Sequence, residues 1–261
     1  LRHRLAGRMT DLSPRLPMRT WLAVVSRLFA MQGAFNYETM IGNGIAFAME
    51  PALRRLPGGP RGPAYAEALG RHSGYFNAHP YLASVAVGAL MRAELDGVPA
   101  AQIDRFRVAA AGPLGSVGDR LVWAGWLPLC SAVALLAYGL GAAPLTVLLL
   151  FLGAYNVLHV GLRVWGLYVG WTHGLRVARA LDAWILRSGP AHMGRATALV
   201  AGVALPVAAH GIIGPGRAVL GTVLVGVAVG AAIVTALRGK AEGWQIAVAV
   251  LLGFTLYGVA R

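Results

Sequence analysis

The sequence predicts an all-α integral membrane protein, with about five transmembrane helices in its C-terminal half and re-entrant or amphipathic helices in its N-terminal half. Two observations lead there. Of 261 residues, 57% are hydrophobic and only 13% are charged, with a mean hydropathy of +0.62, whereas soluble domains carry about 25% charge. The run from Leu121 to Leu162 holds no Asp, Glu, Lys or Arg, and that length accommodates two spans of about 20 residues each.

Residues 1–20 form an arginine-rich arm. The segment after it is interrupted by Arg27 and lacks the unbroken apolar core and small-residue cleavage site of a signal peptide. We read it as a retained arm, held in the cytoplasm because positive charge near the first membrane segments stays inside. The formal net charge of +13 raises nucleic acid as a partner. The arginines, however, flank apolar runs without the interleaved aromatics or solvated basic face that a phosphate backbone requires. They suit contact with membrane lipid, and nucleic acid is excluded.

The first 120 residues hold eight of the ten acidic residues, and the apolar runs of 21–120 are short and broken by polar groups. Irregular backbone at membrane depth persists only where protein or a water-filled cavity covers it, so re-entrant or amphipathic pieces are expected. The stretch "RRLPGGPRGP" at 54–63 reads as an exposed linker. Residues 121–162 form a transmembrane hairpin with its turn at "YGLGAAP". Residues 163–195 carry Arg163, Arg176, Arg179, Arg187 and Arg195 among tryptophans, the composition of an interfacial segment. Residues 196–261 supply three further spans, at about 196–214, 218–237 and 244–260, all rich in the Gly and Ala that close packing in lipid favours. Counting Lys and Arg puts both heavily basic loops on the cytoplasmic face, giving a multi-pass chain with a cytoplasmic N-terminus. Cys130 is the single cysteine. It excludes an intrachain disulfide and suits packing.

Three polar clusters carry the candidate chemistry. In "MQGAFNYETMIGN", Gln32, Asn36, Thr39 and Asn43 are spaced by four, three and four residues, which would align them on one helical face with Glu38 on another. Such a stripe is either the solvated side of a surface helix or a row of carboxamides facing a hydrophilic ligand, since amides donate and accept at once. In "GYFNAHPYLAS", Pro80 suits a first helical turn and makes the preceding residue extended, which points Asn77 and His79 outward or sets His79 as a cap. His72 and His79 have no companion Cys or carboxylate at ligand spacing, so no metal is expected, nor any other cofactor. In "AGPLGSVGDR", glycines and Pro113 would break the chain before a helix entered at Leu121. A phosphate-binding loop needs Lys and Ser or Thr after its last glycine, and here Asp119 and Arg120 stand instead. Asp119 is read as a helix cap, as a group in a substrate path, or as both.

The segments "MQGAFNYETM", "FNAHPYLAS" and "GPLGSVGDRLVW", in this order, together with "LRVWGLYVGW", resemble the signature segments of the IID membrane subunit of the mannose/fructose/sorbose family of the phosphoenolpyruvate-dependent sugar phosphotransferase system. The resemblance covers nearly the whole chain. It implies a hetero-oligomer in the bacterial cytoplasmic (inner) membrane. The IID chain there pairs with a IIC membrane subunit to bind and translocate a hexose-type sugar, while IIA and IIB units pass phosphate to it. It implies no phosphorylated residue on the IID chain, so the chain is part of a sugar-phosphorylating complex with no catalytic residue of its own. By motif position, Gln32, Asn36, Glu38, Asn77, His79 and Asp119 become candidates to line the sugar path or brace its re-entrant segments. Arg120 and Phe35 depart from the family pattern. A non-transporting scaffold or sensor that keeps the fold is the alternative, and a membrane-embedded enzyme ranks last, because no nucleophile and base stand at plausible spacing.

Overall fold

A computed structural model describes residues 16–177 and 184–213. Among these residues the chain is helical, and its β character is confined to two isolated bridges, Asn36 with Met40 and Met40 with Phe76. The helices are α1 (Met18–Ala30), α2 (Gly42–Leu53), α3 (Pro63–Ser73), α4 (Ala83–Leu95), α5 (Ala100–Gly139), α6 (Pro144–His173) and α7 (Trp184–Ile213). Prolines mark several starts: Pro17 and Pro99 precede α1 and α5, and Pro63 and Pro144 open α3 and α6. Their fixed φ matches the first helical turn, where the missing N–H costs no bond. The 54–63 stretch is a tight corner between α2 and α3. Gly58 has φ +81°, and a Cβ on it would meet the Gly62 Cα at 2.9 Å, so a side chain is excluded there by both conformation and space.

The core forms around α4, whose residues Ala83 to Met91 are all buried. A helix apolar on every side belongs inside a bundle. Its tightest contact is with α6: a Cβ on Gly170 would meet Val85 O at 2.1 Å, one on Gly166 would meet Ser84 Oγ at 2.2 Å, and one on Gly88 would meet Leu167 O at 2.3 Å. Small residues here let two backbones touch, the mode of association that replaces the hydrophobic effect within lipid. Around this pair, α1 and α2 pack together and α2 also reaches α3 and α4, while α7 runs along the second half of α5.

An ion network clamps the outer layer. Glu50 on α2 accepts from Arg27 of α1 at 2.7 Å, from Arg54 at 2.5 Å and from the Tyr65 hydroxyl of α3 at 3.0 Å. Burial, the largest single effect, pushes the Glu50 carboxyl up, but the bonds from Arg54, Tyr65 and Arg27 together outweigh it and leave the group below its ordinary value.

Two described helical stretches, Ala100–Gly139 and Pro144–Arg176, are long and apolar enough to cross a membrane. At about 1.5 Å per residue the first reaches about 60 Å, twice a hydrocarbon core of about 30 Å. Its N-terminal end exposes Asp104 and Arg105. On α6, Leu145, Leu148, Leu149, Leu152, Val157 and Tyr168 are exposed, an apolar surface suited to lipid or to a partner helix.

Three local expectations are corrected. The polar residues at 32, 36, 39 and 43 do not share a helical face. After α1 the chain makes a short 3-10 turn, Met31–Ala34. It then folds around Asn36, whose Oδ1 accepts from the backbone N–H of Glu38 at 3.0 Å and of Thr39 at 2.9 Å. An Asx turn of this kind competes with the helix for backbone donors, and it wins here. Residues 111–118 do not break the chain either, for α5 passes through them with Pro113 inside it and continues as a π-helical stretch at Asp119–Trp126, with no side-chain cap. Pro113 removes one ladder donor without ending the helix. Finally, α6 does not end at Leu162: it runs through Arg163 to His173, because Arg163 finds acceptors for both terminal nitrogens inside the protein and does not mark a membrane boundary. The 196–214 segment falls largely within α7, and the segments 218–237 and 244–260 lie outside the described residues.

Gly170→Leu should abolish recovery of monodisperse protein in detergent or lower its Tm by several degrees, since overpacking a close contact costs about 1–3 kcal/mol. Gly153→Leu and Gly161→Leu, where a Cβ meets nothing within 4 Å, should leave both unchanged. The depressed Glu50 carboxyl contributes stability above the unfolded carboxylate value of about 4.3. That contribution is lost as pH falls through the folded value. Thermal melts between pH 6 and 3 should show a steeper acid loss for the wild type than for Glu50→Gln.

Candidate functional site

The segment Gly74–Leu82 between α3 and α4 is a strap tied down along its length. The Phe76 N–H donates to Thr39 O at 3.1 Å and Phe76 O accepts from Ile41 N at 3.2 Å. Arg107 of α5, itself buried, donates to Gly74 O at 3.0 Å and to His72 Nδ1 at 3.0 Å. His72 in turn donates from Nε2 to Glu94 at 2.8 Å, and Arg71 binds the same carboxylate oxygen at 3.0 Å. Burial holds the His72 imidazole below its ordinary value despite Glu94. A neutral ring that donates at Nε2 and accepts at Nδ1 satisfies both partners.

Near the end of the strap stands His79, four residues before α4 begins. Its carbonyl accepts from Ala83 N at 2.9 Å, and its Nδ1 accepts from the Tyr81 N–H at 3.2 Å, so the side chain orders the turn that leads into α4 without being its N-cap. The ring is 1% exposed and rests on α5: a Cβ on Gly118 would meet the His79 Cβ at 2.2 Å. Only glycine admits it. Burial, assisted by the Arg163 charge, pulls the His79 imidazole down to about 4, so the ring is neutral near pH 7. With Nδ1 accepting, the proton is on Nε2, and that buried atom has no partner.

Tyr81 is the centre of what lies around His79. Its ring meets His79 edge-on at 4.9 Å, stacks on His159 at 4.3 Å, and its hydroxyl lies 2.6 Å from that of Tyr155. Trp123 of the π stretch closes one side, 5.2 Å from His79. Above the Tyr81 ring, at 4.9 Å, stands the guanidinium of Arg163, which also covers Phe29 at 5.4 Å. Arg163 is 0% exposed, and it donates to the backbone carbonyl of Leu28 and to Gln32 Oε1, the latter at 3.0 Å. A cation at the middle of a spanning helix costs about 3 kcal/mol or more. Two acceptors and two ring faces offset that cost.

The structure thus places the six sequence candidates unequally. Gln32 and His79 both border the Tyr81–Arg163 cluster. Asn36 spends its amide on its own turn, with Nδ2 donating to Thr39 Oγ1 at 2.8 Å. Glu38, Asn77 and Asp119 are exposed, Asp119 one residue beyond the glycine that seats His79. The sequence reading overlooked Tyr81, Tyr155, His159 and Arg163. A signal for the last three existed: they recur every four residues through an apolar run, which puts them on one face of α6. Among the described residues no three His, Cys, Asp or Glu side chains gather as a metal ion requires. The arrangement offers neutral donors, acceptors and aromatic faces, a chemistry of polar recognition.

Residues 15–187 match the sequence model of the PTS system mannose/fructose/sorbose family IID component. The chain belongs to this IID family. The mannose-specific EIID component of Escherichia coli K12 is 31% identical over 62% of this IID chain and 57% of that protein. The fructose permease IID component of Bacillus subtilis is 31% identical over 64% and 61%, and the sorbose-specific EIID component of Klebsiella pneumoniae is 31% identical over 60% and 57%. The IID chain thus spans somewhat more than half the length of the curated relatives it matches. Two solved structures share the fold. One is described as a membrane protein, 22% identical, with a TM-score of 0.70 over 94% of this chain and 96% of the other. The second is the mannose transporter ManYZ in complex with microcin E492, 23% identical, with a TM-score of 0.56 over the same shares. Family and fold together make this a protein of the bacterial inner membrane, helical throughout its described core.

The neutral state of His79 is open to measurement. With 15N-labelled histidine in detergent or nanodiscs, the His79 ring should give the Nε2-protonated pattern throughout pH 5.5–8. A titration midpoint above 6 would contradict the burial described above.

Proposed function

We propose that this IID chain is the membrane subunit of a phosphotransferase sugar transporter, pairing with a IIC subunit to bind and translocate a hexose-type sugar that a partner IIB unit phosphorylates after phosphate transfer through IIA. One observation carries the reading. The three polar motifs, which lie about 40 residues apart in the chain, dock on one another: Thr39 and Ile41 bond to Phe76, and His79 seats on Gly118. Motifs distant in sequence that build one polar, aromatic-lined locus suit the recognition of a hydroxyl-rich ligand. In this reading Gln32, Asn36, Glu38, Asn77, His79 and Asp119 line the sugar path or brace the segments that do. The chain presents substrate and carries no phosphoryl group.

The same proposal extends to topology. Residues 1–20 form a cytoplasmic basic arm and 21–120 a re-entrant, motif-bearing unit. A hairpin begins at 121, its second helix running on to His173 rather than ending at 162, and a basic stretch through 195 and three C-terminal spans in 196–261 follow. This gives five crossings with a cytoplasmic N-terminus, supported by the distribution of arginines and by the apolar exposed face of α6.

Co-expression with a IIC partner and IIA and IIB units, in a strain unable to take up hexoses, tests the function. Phosphoenolpyruvate-dependent accumulation of mannose, fructose or sorbose is expected. A stable IIC complex that accumulates none of them would show a scaffold instead. Asn36→Ala and His79→Ala should each lower uptake about tenfold, the order expected for one lost hydrogen bond at a buried polar site, while co-purification with IIC persists. Normal uptake in both would remove these residues from the sugar path.

A further inference from the structure

We propose that Arg163 is a positioning residue: it fixes the end of α1 and sets the polarity of the Gln32 amide, so that Gln32 faces its ligand only as a donor. This rests on the transport reading above, and it deepens it by naming what orients one face of the site.

The argument begins with the donors and acceptors available. Arginine has five N–H donors and no acceptor. Whatever Gln32 turns toward Arg163 must therefore be its oxygen, which matches Oε1 at 3.0 Å from Nη2. The amide nitrogen, with two hydrogens, is then directed away from Arg163, and Gln32 is exposed. A free glutamine would rotate between donor and acceptor poses. This one is locked in a single pose by a cation that is itself 0% exposed.

The second bond explains why the lock holds position as well as polarity. Leu28 lies in the last turn of α1, where carbonyls lack intrahelical partners. Arg163 donates to the Leu28 carbonyl from α6, so it acts as a C-terminal cap delivered from another helix, with the favourable sign for the helix dipole. The Phe29 and Tyr81 rings, 5.4 and 4.9 Å from the guanidinium carbon, add cation–π contacts that help hold it. The direction in which the chain leaves α1 toward the Asn36 turn is thereby set from α6. Next to it, His79 offers an unpartnered Nε2–H of its own. The exposed Gln32 amide thus offers its donors outward, which suits the hydroxyl and ring-oxygen lone pairs of a sugar, while the His79 Nε2–H is buried. Lysine in place of Arg163 would keep the charge and lose the planar fork that reaches two acceptors at once.

The test uses the full chain co-expressed with its IIC, IIA and IIB partners, with mannose, fructose and sorbose as probes and backbone amide exchange as an independent readout. Arg163→Met should speed exchange over residues 28–41 about tenfold while leaving Ala83–Leu95 protected, and should raise the KM for uptake about tenfold with little change in maximal rate. Arg163→Lys should fall between the two. Gln32→Glu keeps an acceptor for Arg163, so exchange should stay as in the wild type, yet KM should rise because the donor is gone. In a Gln32→Ala background Arg163→Met should raise KM no further. Unchanged exchange over 28–41 in Arg163→Met would overturn the capping role. Wild-type KM in Gln32→Glu, or effects of Arg163→Met and Gln32→Ala that simply multiply, would overturn the orienting role. Should the wild-type complex take up none of the three sugars, the transport reading fails and the orienting role toward a sugar falls with it. The exchange experiment then still decides the cap.

Discussion

The contact on which the rest of the fold depends is the touching of two backbones, α4 against α6, at Gly88, Gly166 and Gly170. Helix axes normally stand about 8–10 Å apart, depending on the side chains between them, and at these glycines there is no room for a side chain between the two helices. The consequence is positional. With α4 this close, its first turn and the strap before it lie against the Tyr155, His159 and Arg163 face of α6, and the Tyr81 hydroxyl comes within hydrogen-bond distance of Tyr155. A wider separation would leave Arg163 without the Tyr81 ring. The buried cation depends on the packing, and the packing is specified by residues that have no side chain.

Two polar networks do comparable work further out. Glu50 gathers α1, α2 and α3, and Glu94 gathers α3 and α4 through His72, with Arg107 of α5 completing the set. Each carboxylate is shared by two or more cations or hydroxyls, so its lone pairs are well used in a setting of limited solvent. Removing one partner would strand a buried charge. This division explains why the acidic residues concentrate in the first 120 positions: that half is held by ion networks, and the α4–α6 pair by shape.

How much of this was legible in the residues differs by feature. Helical class, the membrane composition and the hairpin around residue 140 follow from hydropathy and from Gly and Pro placement, which are local properties. The three motifs were visible as polar interruptions. Their geometry was not. Equal spacing at 32, 36, 39 and 43 suggested one helical face, but a single Asn36 side chain outcompetes the helix by bonding two backbone donors, and spacing carries no information about that contest. The glycines at 112, 115 and 118 suggested a break, whereas Gly118 is there to receive His79, a partner 39 positions earlier in the chain. Arg163 was counted among basic flanks because an isolated charge ending an apolar run commonly marks a membrane surface. Its partners, Leu28 and Gln32, lie more than 130 positions away, and only the fold brings them together.

The π-helical stretch in α5 has a consequence for how that rod is geared. Gly118 and Gly125 are seven residues apart, and in an unbroken α-helix seven residues complete nearly two turns, so both would look the same way. The wider π turns between them dephase the two halves. Gly118 faces His79, whereas Gly125 faces Met193 of α7 and, further along, a Cβ on Gly139 would meet the backbone of Ala208 at 2.7 Å. One continuous helix thus meshes with two different neighbours at two different azimuths. A rotation of its C-terminal half against α7 would be transmitted to the seat of His79 through that offset.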